Sequence, residues 1–557
     1  MYSPFCKSLL LAAVSLLPCV ASAQHPGDGT PDRVSVHGSV QADVLFPEDD
    51  YSIGTEHYTD KILGNFYANA GVFSKYVDGG ARIEYLEHPL PGFENSFKGW
   101  GLANIFVKGK FRNMELTLGD FYEQFGSGFI LRTYEERSLG IDNSIRGARL
   151  KFNNIPGMRI TALGGVQRCF WNWNMHSKIA GADAEANLET YFSGLRNHNI
   201  IWTVGASYVF KHERDQEIRV PSTNLRLNLP LGVSAVDART HFNKGAWDFL
   251  AEYAWKSADP SADNDYTYGK GNAVMLSGSF SKKGLSALVQ AKRSENMAFR
   301  SRRSQILTGA FLNNMPAFAY QHTYALAAMY PYATQAAPGE WAWQGAFSYN
   351  FRRKTALGGK YGTKVKANVS YIRGIKRDNP VPVNGSVYGT DGGKTHFFGV
   401  GDVYYTDLNL QLEKKVTKDF NFNAMYMYQR YNQQVIEGHG GMVNAHIAVL
   451  EGKYKFDKRF TLRAELQYLA TKQDKKDWCY GLVELSVLPY LMFSVSDMWN
   501  NGGEGTHYYM GTITGTYKAN RLMLGYGRTR AGYNCSGGVC RYVPASRGFQ
   551  LSYNYTF

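Results

Sequence analysis

A dense group of oppositely charged side chains lies in a glycine-rich stretch, residues 119–147. It holds five carboxylates and three guanidinium groups: Asp120, Glu123, Glu135, Glu136, Asp142, Arg132, Arg137 and Arg146. Rows of such groups facing each other in a water-filled passage sort solutes by charge and size. If the stretch folds into the lumen of a channel, it would form a pore constriction. The alternative is a salt-bridge network that braces a protein wall.

Enzyme chemistry has no comparable signal in the sequence. The metalloprotease motif H-E-x-x-H and the hydrolase motif G-x-S-x-G are both absent. Gly393-Lys394-Thr395 is similar to the end of a phosphate-binding loop, but Tyr388 stands where the first glycine would be. The 13 histidines are scattered, so we expect no metal, no cofactor and no enzyme. A serine, histidine and aspartate brought together from distant strands stays an open alternative.

Two other stretches are rich in aromatic residues and could bind sugar rings or a partner protein. They could equally pack a loop onto the rim of a barrel. The first holds Trp171, Trp173, Tyr191 and Phe192, and the second holds Phe311, Phe318, Tyr320, Tyr324, Tyr330 and Tyr332.

Alternation of apolar and polar side chains is the pattern that must position these groups. In the last nine residues the apolar positions are Phe549, Leu551, Tyr553, Tyr555 and Phe557, with polar residues between them. A β-strand sends successive side chains to opposite faces, so this segment has one apolar and one polar face. A final strand ending on an aromatic residue resembles the signal that directs outer-membrane barrels to the barrel-assembly machinery. An edge strand of a soluble sheet is the alternative.

The same alternation begins at residue 34 and recurs along the chain, which predicts an all-β fold. Short and long connections alternate between the segments, as in a transmembrane antiparallel β-barrel with short periplasmic turns and long extracellular loops. We expect about 24 strands, an even number in the range of roughly 18–26. Residues 168–199 are expected to be a long irregular connection, helical near 184–195, and residues 225–229 a short strand. Polar residues such as Arg463, Glu465 and Gln467 would face a hydrated lumen.

The amino end predicts export. Lys7, the apolar run 9–17 and Ala21-Ser22-Ala23 form a signal peptide over residues 1–23, which leaves a single barrel over 24–557. The formal net charge is +14, which in an exported chain indicates anionic lipid or solutes rather than nucleic acid. Four cysteines remain after cleavage, and Cys535 and Cys540 lie close enough to form a disulfide in an oxidising compartment.

Residues 119–147 and 532–548, followed by the final strand, are similar to an uncharacterised family of outer-membrane barrels from Bacteroidetes-type bacteria. The resemblance implies a barrel in the bacterial outer membrane and no assigned activity. From the polar inner faces we predict a porin-like channel for small hydrophilic, possibly anionic, solutes. The alternative is a non-conducting barrel that serves as a docking platform for a surface or secretion assembly. An actively driven receptor needs an N-terminal plug and coupling segment, for which a strand starting at residue 34 leaves no room.

Overall fold

Antiparallel strands that close into a cylinder make up most of the chain, as the alternation predicts. The computed structural model describes residues 34–55, 57–173, 175–378, 380–382, 385–536 and 539–557; the predicted signal peptide lies outside them. The 24 barrel strands are β1 Ser35–Glu48, β2 Leu63–Phe73, β3 Val77–Tyr85, β4 Trp100–Phe111, β5 Met114–Phe121, β6 Ile145–Phe152, β7 Met158–Cys169, β8 Ser177–Asn187, β9 Ile200–Glu213, β10 Gly232–Lys244, β11 Trp247–Lys256, β12 Gly271–Lys282, β13 Leu285–Glu295, β14 Glu340–Phe351, β15 Thr363–Arg377, β16 Thr395–Lys415, β17 Phe420–Asn432, β18 Met442–Lys455, β19 Phe460–Ala470, β20 Trp478–Val487, β21 Leu491–Trp499, β22 His507–Tyr517, β23 Asn520–Thr529 and β24 Ser546–Thr556.

The cylinder is closed by pairing between its first and last strands. In the register of β1 with β24, Val40 lies opposite Tyr555 and Phe46 opposite Phe549. The amide of Phe557 donates to the Gly38 carbonyl and the amide of Gly38 donates to the Phe557 carbonyl, both at 2.9 Å. In the part of the chain that the structure describes, each of the 24 barrel strands is paired on both sides, so the predicted barrel of about 24 strands is confirmed.

The two ends of the barrel differ in the length of their connections. At the end that holds Gly38 and Phe557, here called the short-turn end, most connections have two to five residues. The exceptions there are 188–199, which contains the short helix Ser193–Asn197, and 352–362. The opposite, long-loop end carries longer connections, of which 296–339 is the longest. The predicted asymmetry of turns and loops is therefore present.

Two predicted elements differ from the structure. Residues 177–187 form the regular strand β8 within the predicted irregular connection, and residues 225–229 belong to a loop. In β8 the buried positions hold Ser177, Ile179, Gly181 and Asp183, and the exposed ones are largely alanine. Because Ile179 is the only large apolar side chain of β8, the alternation of this strand is weak in the sequence.

The outer face of the cylinder is an apolar belt. Val289 is 71% exposed, and Leu466 and Val495 are each 66% exposed. Exposed aromatic residues lie towards both ends of the strands: Phe111, Trp247, Phe456 and Tyr517 at the short-turn end, and Trp100, Phe397 and Phe398 at the long-loop end. No helix in the described residues is long and apolar enough to cross a membrane.

Candidate functional site

Two connections of the long-loop end, 122–144 and 296–339, fold into the barrel and pack against each other. We call this pair of segments the plug. The Arg132 amide donates to the Leu312 carbonyl (2.8 Å), and the Asn313 side-chain amide donates to the Phe129 carbonyl (2.8 Å). These bonds join segments that are about 180 residues apart in sequence, as the separation of 184 between Asn313 and Phe129 illustrates.

The plug has an apolar core of its own, which is continuous with buried residues of the barrel wall. Strands β9, β11, β18 and others supply the wall side of this cluster. Its fully buried members include Phe129, Ile130, Leu131, Met297, Phe299, Leu312 and Leu326 of the plug, and Val209, Ala254 and Ile447 of the wall. Side chains packed in this way exclude water from the part of the lumen that they occupy.

The segment 296–339 crosses the lumen and is bonded to the far wall. The strands that receive it are β15 to β19, together with the loop after β19. The contacts are Tyr320 N to Ser370 Oγ (3.2 Å), His322 Nε2 to Asp407 Oδ2 (2.7 Å), Leu326 N to Gln467 Oε1 (2.8 Å), Gln429 Nε2 to the Tyr330 carbonyl (3.0 Å) and Tyr330 OH to Asp474 Oδ2 (2.9 Å).

A fully buried ion pair holds the start of β14 and the end of the plug to β13. Lys292 Nζ lies 2.9 Å from Glu340 Oε1, and both side chains are 0% exposed. The ammonium group also donates to the Pro316 carbonyl (2.5 Å) and to Thr334 Oγ1 (3.0 Å). The Tyr332 hydroxyl donates to the other Glu340 oxygen. Each charge is therefore both neutralised and hydrogen-bonded, as a buried pair requires.

A second buried cluster holds the beginning of segment 296–339. The guanidinium of Arg303 contacts Glu213 (3.1 Å), and the ammonium of Lys211 contacts Asp259 (2.8 Å) and Glu213 (3.3 Å). Lys211 also lies 5.5 Å from the ring centroid of Phe299, close enough for a cation–π contact. The cluster joins the plug to β9 and to the loop after β11.

The predicted constriction residues Glu135 and Asp142 lie in the plug, where they meet arginines of the wall. Arg82 of β3 contacts Glu135 (2.7 Å) and Asp142, and Arg168 of β7 contacts Asp142 (2.5 Å). Burial alone would raise the pKa of the Asp142 carboxyl, but Arg168 and Arg82 outweigh burial and hold that pKa below its usual value. Arg137 contacts Glu135 (2.6 Å). These groups therefore fasten segment 122–144 to the wall.

The other constriction candidates are paired as well. Arg146 of β6 makes two 2.8 Å bonds to Asp120 of β5, its cross-strand neighbour. Glu123 contacts Arg149 (3.1 Å) and Lys151 (2.8 Å). The two remaining candidates have partners within the plug: the Arg132 guanidinium lies over the Tyr134 ring, and Glu136 accepts hydrogen bonds from the amide and hydroxyl of Ser138. These ion pairs favour the bracing network, and both arrangements stay predictions.

We expect Asp142→Asn to loosen segment 122–144, because the substitution leaves Arg82 and Arg168 without one of their shared counter-charges. Hydrogen exchange of peptides from this segment at neutral pH should rise clearly. The pKa of Asp142 is lower in the folded protein than in the unfolded chain. The stabilisation that the Asp142 carboxylate provides is therefore fully present when the pH is above the unfolded-state pKa, and it is lost as the pH falls through the folded-state pKa. Glu136→Gln in the same segment is the control, with little change expected; equal exchange in both variants would contradict the bracing role.

The sequence does not predict that segment 296–339 enters the lumen. The predicted roles of its aromatic residues are binding of sugar rings or a partner protein, or packing of the loop onto the barrel rim. Phe318, Tyr324, Tyr330 and Tyr332 are buried in the lumen. Phe311 and Tyr320 are partly buried, and Phe311 lies against Arg300. The available signal was composition: residues 309–333 are dominated by alanine, aromatic residues and methionine, which is unusual for a loop exposed to water. In the first aromatic group, Trp171 packs near Phe97, whereas Tyr191 and Phe192 are exposed.

A polar recess lies between the plug and the short-turn end. Its volume is about 680 Å³, and it runs from Gly126 and Ser127 of the plug to the turn 153–157. Arg159, Glu185, Arg239, His241 and Glu252 line its wall. The Ser127 hydroxyl and amide both donate to the Glu252 carboxylate, which closes the inner side of the recess. The recess has room for a small hydrophilic solute or for water.

The remaining predicted residues lie away from the plug. Cys535 and Cys540 form a disulfide across the hairpin 532–543 at the long-loop end. Ser552 of β24 bonds Asp43 on the lumen side of the barrel. Side chains alternate along the strand, so the outside is faced by Phe549, Leu551, Tyr553 and Tyr555. Phe557 pairs with Gly38 at the seam. In the described residues no group of histidine, cysteine and acidic side chains has the arrangement of a metal site.

Solved outer-membrane barrels are similar to this fold at very low sequence identity. The siderophore receptor PirA from Pseudomonas aeruginosa gives a TM-score of 0.40 at 10% identity, over 96% of this chain and 81% of that chain. The translocation pore of the P pilus usher PapC gives 0.38 at 9% identity, over 94% and 99%. OccAB3 from Acinetobacter baumannii gives 0.34 at 10% identity, over 94% and 98%.

No curated protein matches the sequence. A family model does match it over nearly its whole length, residues 5–557. This match confirms the predicted resemblance to an uncharacterised family. The chain belongs to the family described as "Family of unknown function (DUF6029)".

Proposed function

We propose that this protein is a closed outer-membrane barrel that does not conduct ions at rest and that acts through its long loops as a docking platform. The observation that carries the proposal is the plug, whose apolar core occupies the lumen between β5–β8 and β15–β19. A water-filled path needs polar walls along its whole length, and packed phenylalanine, leucine and methionine side chains do not supply them.

The outer surface supports a position in the bacterial outer membrane. A spanning sheet must be closed because lipid cannot satisfy free backbone groups, and β1 and β24 meet this condition. An apolar belt with aromatic residues at both ends is the lipid-facing surface of such barrels. On this proposal the barrel-assembly machinery inserts the chain, and the protein has no enzymatic activity; a Bacteroidetes-type source stays a prediction.

The porin-like channel for small hydrophilic solutes is the second candidate, and the polar recess is the observation that favours it. Arg159 and Arg239 would give such a passage some affinity for anions. Both are already paired, however: Arg239 contacts Asp183, Asp237 and Glu185, and Arg159 contacts Glu185. A solute that entered the recess would meet Ser127 and the plug core behind it. The recess therefore supports entry from the short-turn end more than it supports passage.

Conductance distinguishes the two candidates. The purified full-length protein, inserted into planar bilayers in symmetric KCl, should show no stable openings above the bare membrane. Folding of the same sample is checked by its β-sheet circular dichroism spectrum and by resistance to unfolding in detergent. Stable, solute-dependent openings of the intact protein would favour the channel and overturn the closed barrel.

Membrane placement has its own prediction. Val289→Arg puts a guanidinium in the middle of the apolar belt, where it should lower the free energy of unfolding in lipid vesicles by about 2–4 kcal/mol. Gln290→Arg, one residue along and facing the lumen, is the control. It loses a hydrogen bond to Gln344, which costs roughly 1 kcal/mol. A belt variant no less stable than the control, measured by urea unfolding in vesicles, would argue against lipid contact.

A further inference from the structure

Positive charge is concentrated on three neighbouring connections of the short-turn end. The connections 352–362, 416–419 and 456–459 and the strand ends beside them project nine exposed basic side chains. We call this set the basic rim: Arg352, Arg353, Lys354, Lys360, Lys415, Lys418, Lys455, Lys458 and Arg459. The exposed acidic residues on these three connections are Asp419 and Asp457. The Asp457 carboxylate is already occupied by the amides of Arg459 (2.6 Å) and Phe460 (2.8 Å).

The basic rim is not neutralised by the protein itself. Within the part of the chain that the structure describes, none of its nine side chains forms an ion pair with a carboxylate. Basic residues at the long-loop end differ: Arg300 contacts Asp263 (2.7 Å) and Arg528 contacts Asp50 (2.7 Å). The nine unpaired charges of the basic rim therefore lie close together, and they are available to an anionic partner.

Aromatic residues show where the basic rim stands relative to the membrane. Lys360 Nζ and Lys415 Nζ lie 5.5 and 5.7 Å from the ring centroid of Tyr361. Phe456 and Phe460, which flank the turn 456–459, are exposed on the outside of the barrel. Aromatic side chains of this kind lie at the level of the lipid headgroups. The rim therefore stands at the height of the phosphate groups in the adjacent leaflet.

We propose that the basic rim binds the phosphate groups of anionic phospholipids in the leaflet at the short-turn end. An acidic soluble protein is the competing partner for such a surface. Lipid is favoured because the turn that carries Lys458 and Arg459 is flanked by Phe456 and Phe460, which are exposed on the outer face of the barrel. Basic side chains near an anionic leaflet are attracted to it with energies that accumulate over the cluster. The inference rests on the barrel spanning a membrane, and it does not depend on whether the lumen is closed.

The test compares two lipids that differ in the headgroup alone. The full-length barrel in uncharged detergent is given equimolar phosphatidylglycerol and phosphatidylcholine with the same acyl chains, and retained lipid is counted by native mass spectrometry. We expect phosphatidylglycerol to be enriched about threefold or more. The rim variant Arg352→Gln/Arg353→Gln/Lys360→Gln removes three of the nine charges and should lower the ratio clearly. The control Lys270→Gln/Lys472→Gln/Lys475→Gln removes three exposed charges at the long-loop end and should leave the ratio unchanged.

Each outcome has a distinct meaning. Equal retention of both lipids by the unmodified protein would overturn the inference while leaving membrane placement intact. Retention of neither lipid would reject the lipid-facing belt, and the proposed rim with it. Equal loss of enrichment in the rim variant and the control would show that net charge alone sets the ratio, and would also overturn the assignment to the rim.

Discussion

Replacing residues 296–339 with a short glycine-serine linker should turn the closed barrel into a conducting one. Removal leaves β13 and β14 adjacent, since Ser294 pairs with Glu340, so a tight connection can restore the hairpin. It also removes most of the plug side chains in the lumenal apolar core. A barrel of 24 strands is wide enough to hold an aqueous channel. Conductance in planar bilayers should therefore rise from baseline by at least an order of magnitude.

Two further deletions make this prediction specific. Removing residues 126–140 should open the lumen less, because the segment 296–339 would still cross to Gln429 and Gln467. Shortening the loop after β9 by deleting residues 217–228 is the control, since its apolar residues Val220 and Leu227 form a separate cluster with Tyr266. That variant should remain closed. A folded variant lacking 296–339 that conducts no better than the control would rule out the plug as the barrier.

The second large effect is expected at the buried pair of Lys292 and Glu340. Glu340→Gln leaves the Lys292 ammonium buried beside a neutral amide, and breaking a buried pair in this way costs about 3–5 kcal/mol. We expect the free energy of unfolding in lipid vesicles, measured in urea, to fall by that amount. Exchange of amide hydrogens in residues 316–335 should increase as well, because Tyr332 and Gln335 lose their carboxylate partner. Lys292, which holds Pro316 and Thr334, loses its counter-charge at the same time.

The double variant Lys292→Met/Glu340→Gln is the matched control for the pair. It removes both charges and keeps an apolar stem in place of the lysine, so much of the lost stability should return. If the single and double variants are equally destabilised, the effect comes from altered packing and not from an unpaired charge.

Alternation of side chains was sufficient to predict the barrel and its approximate number of strands. The predicted count of 24 nevertheless contains two errors that cancel: the pattern gives no strand at β8, and it gives one at residues 225–229, which lie in a loop. Both errors have the same cause, since alternation reports large apolar side chains on one face. The alanines and glycine of β8 lack them, whereas Leu225, Leu227 and Leu229 have them for another reason. Leu227 and Leu229 are buried in a loop cluster.

The candidate site was less accessible to sequence reasoning. The dense charge of residues 119–147 indicated an unusual segment, but its partners Arg82 and Arg168 lie on other strands and have no local signature. The segment 296–339 has no regular secondary structure over most of its length. Its sequence therefore has no strand or helix periodicity that would indicate which of its side chains are buried. Its contacts reach residues such as Gln467, 141 positions from Leu326. Such pairings become visible only when the cylinder is closed.

The seam between β1 and β24 joins residues that are 509 positions apart, as in the bond from Ser552 to Asp43. Bringing such distant segments together costs loop-closure entropy before any contact between them forms. Pairing of β1 with β24 is therefore expected to be a slow and late step of folding. The plug segments 122–144 and 296–339 are expected to enter the lumen before the seam closes, because a closed barrel has no gap between strands through which they could enter. The finished molecule should therefore be long-lived for kinetic reasons, with the seam setting the rate at which it comes apart.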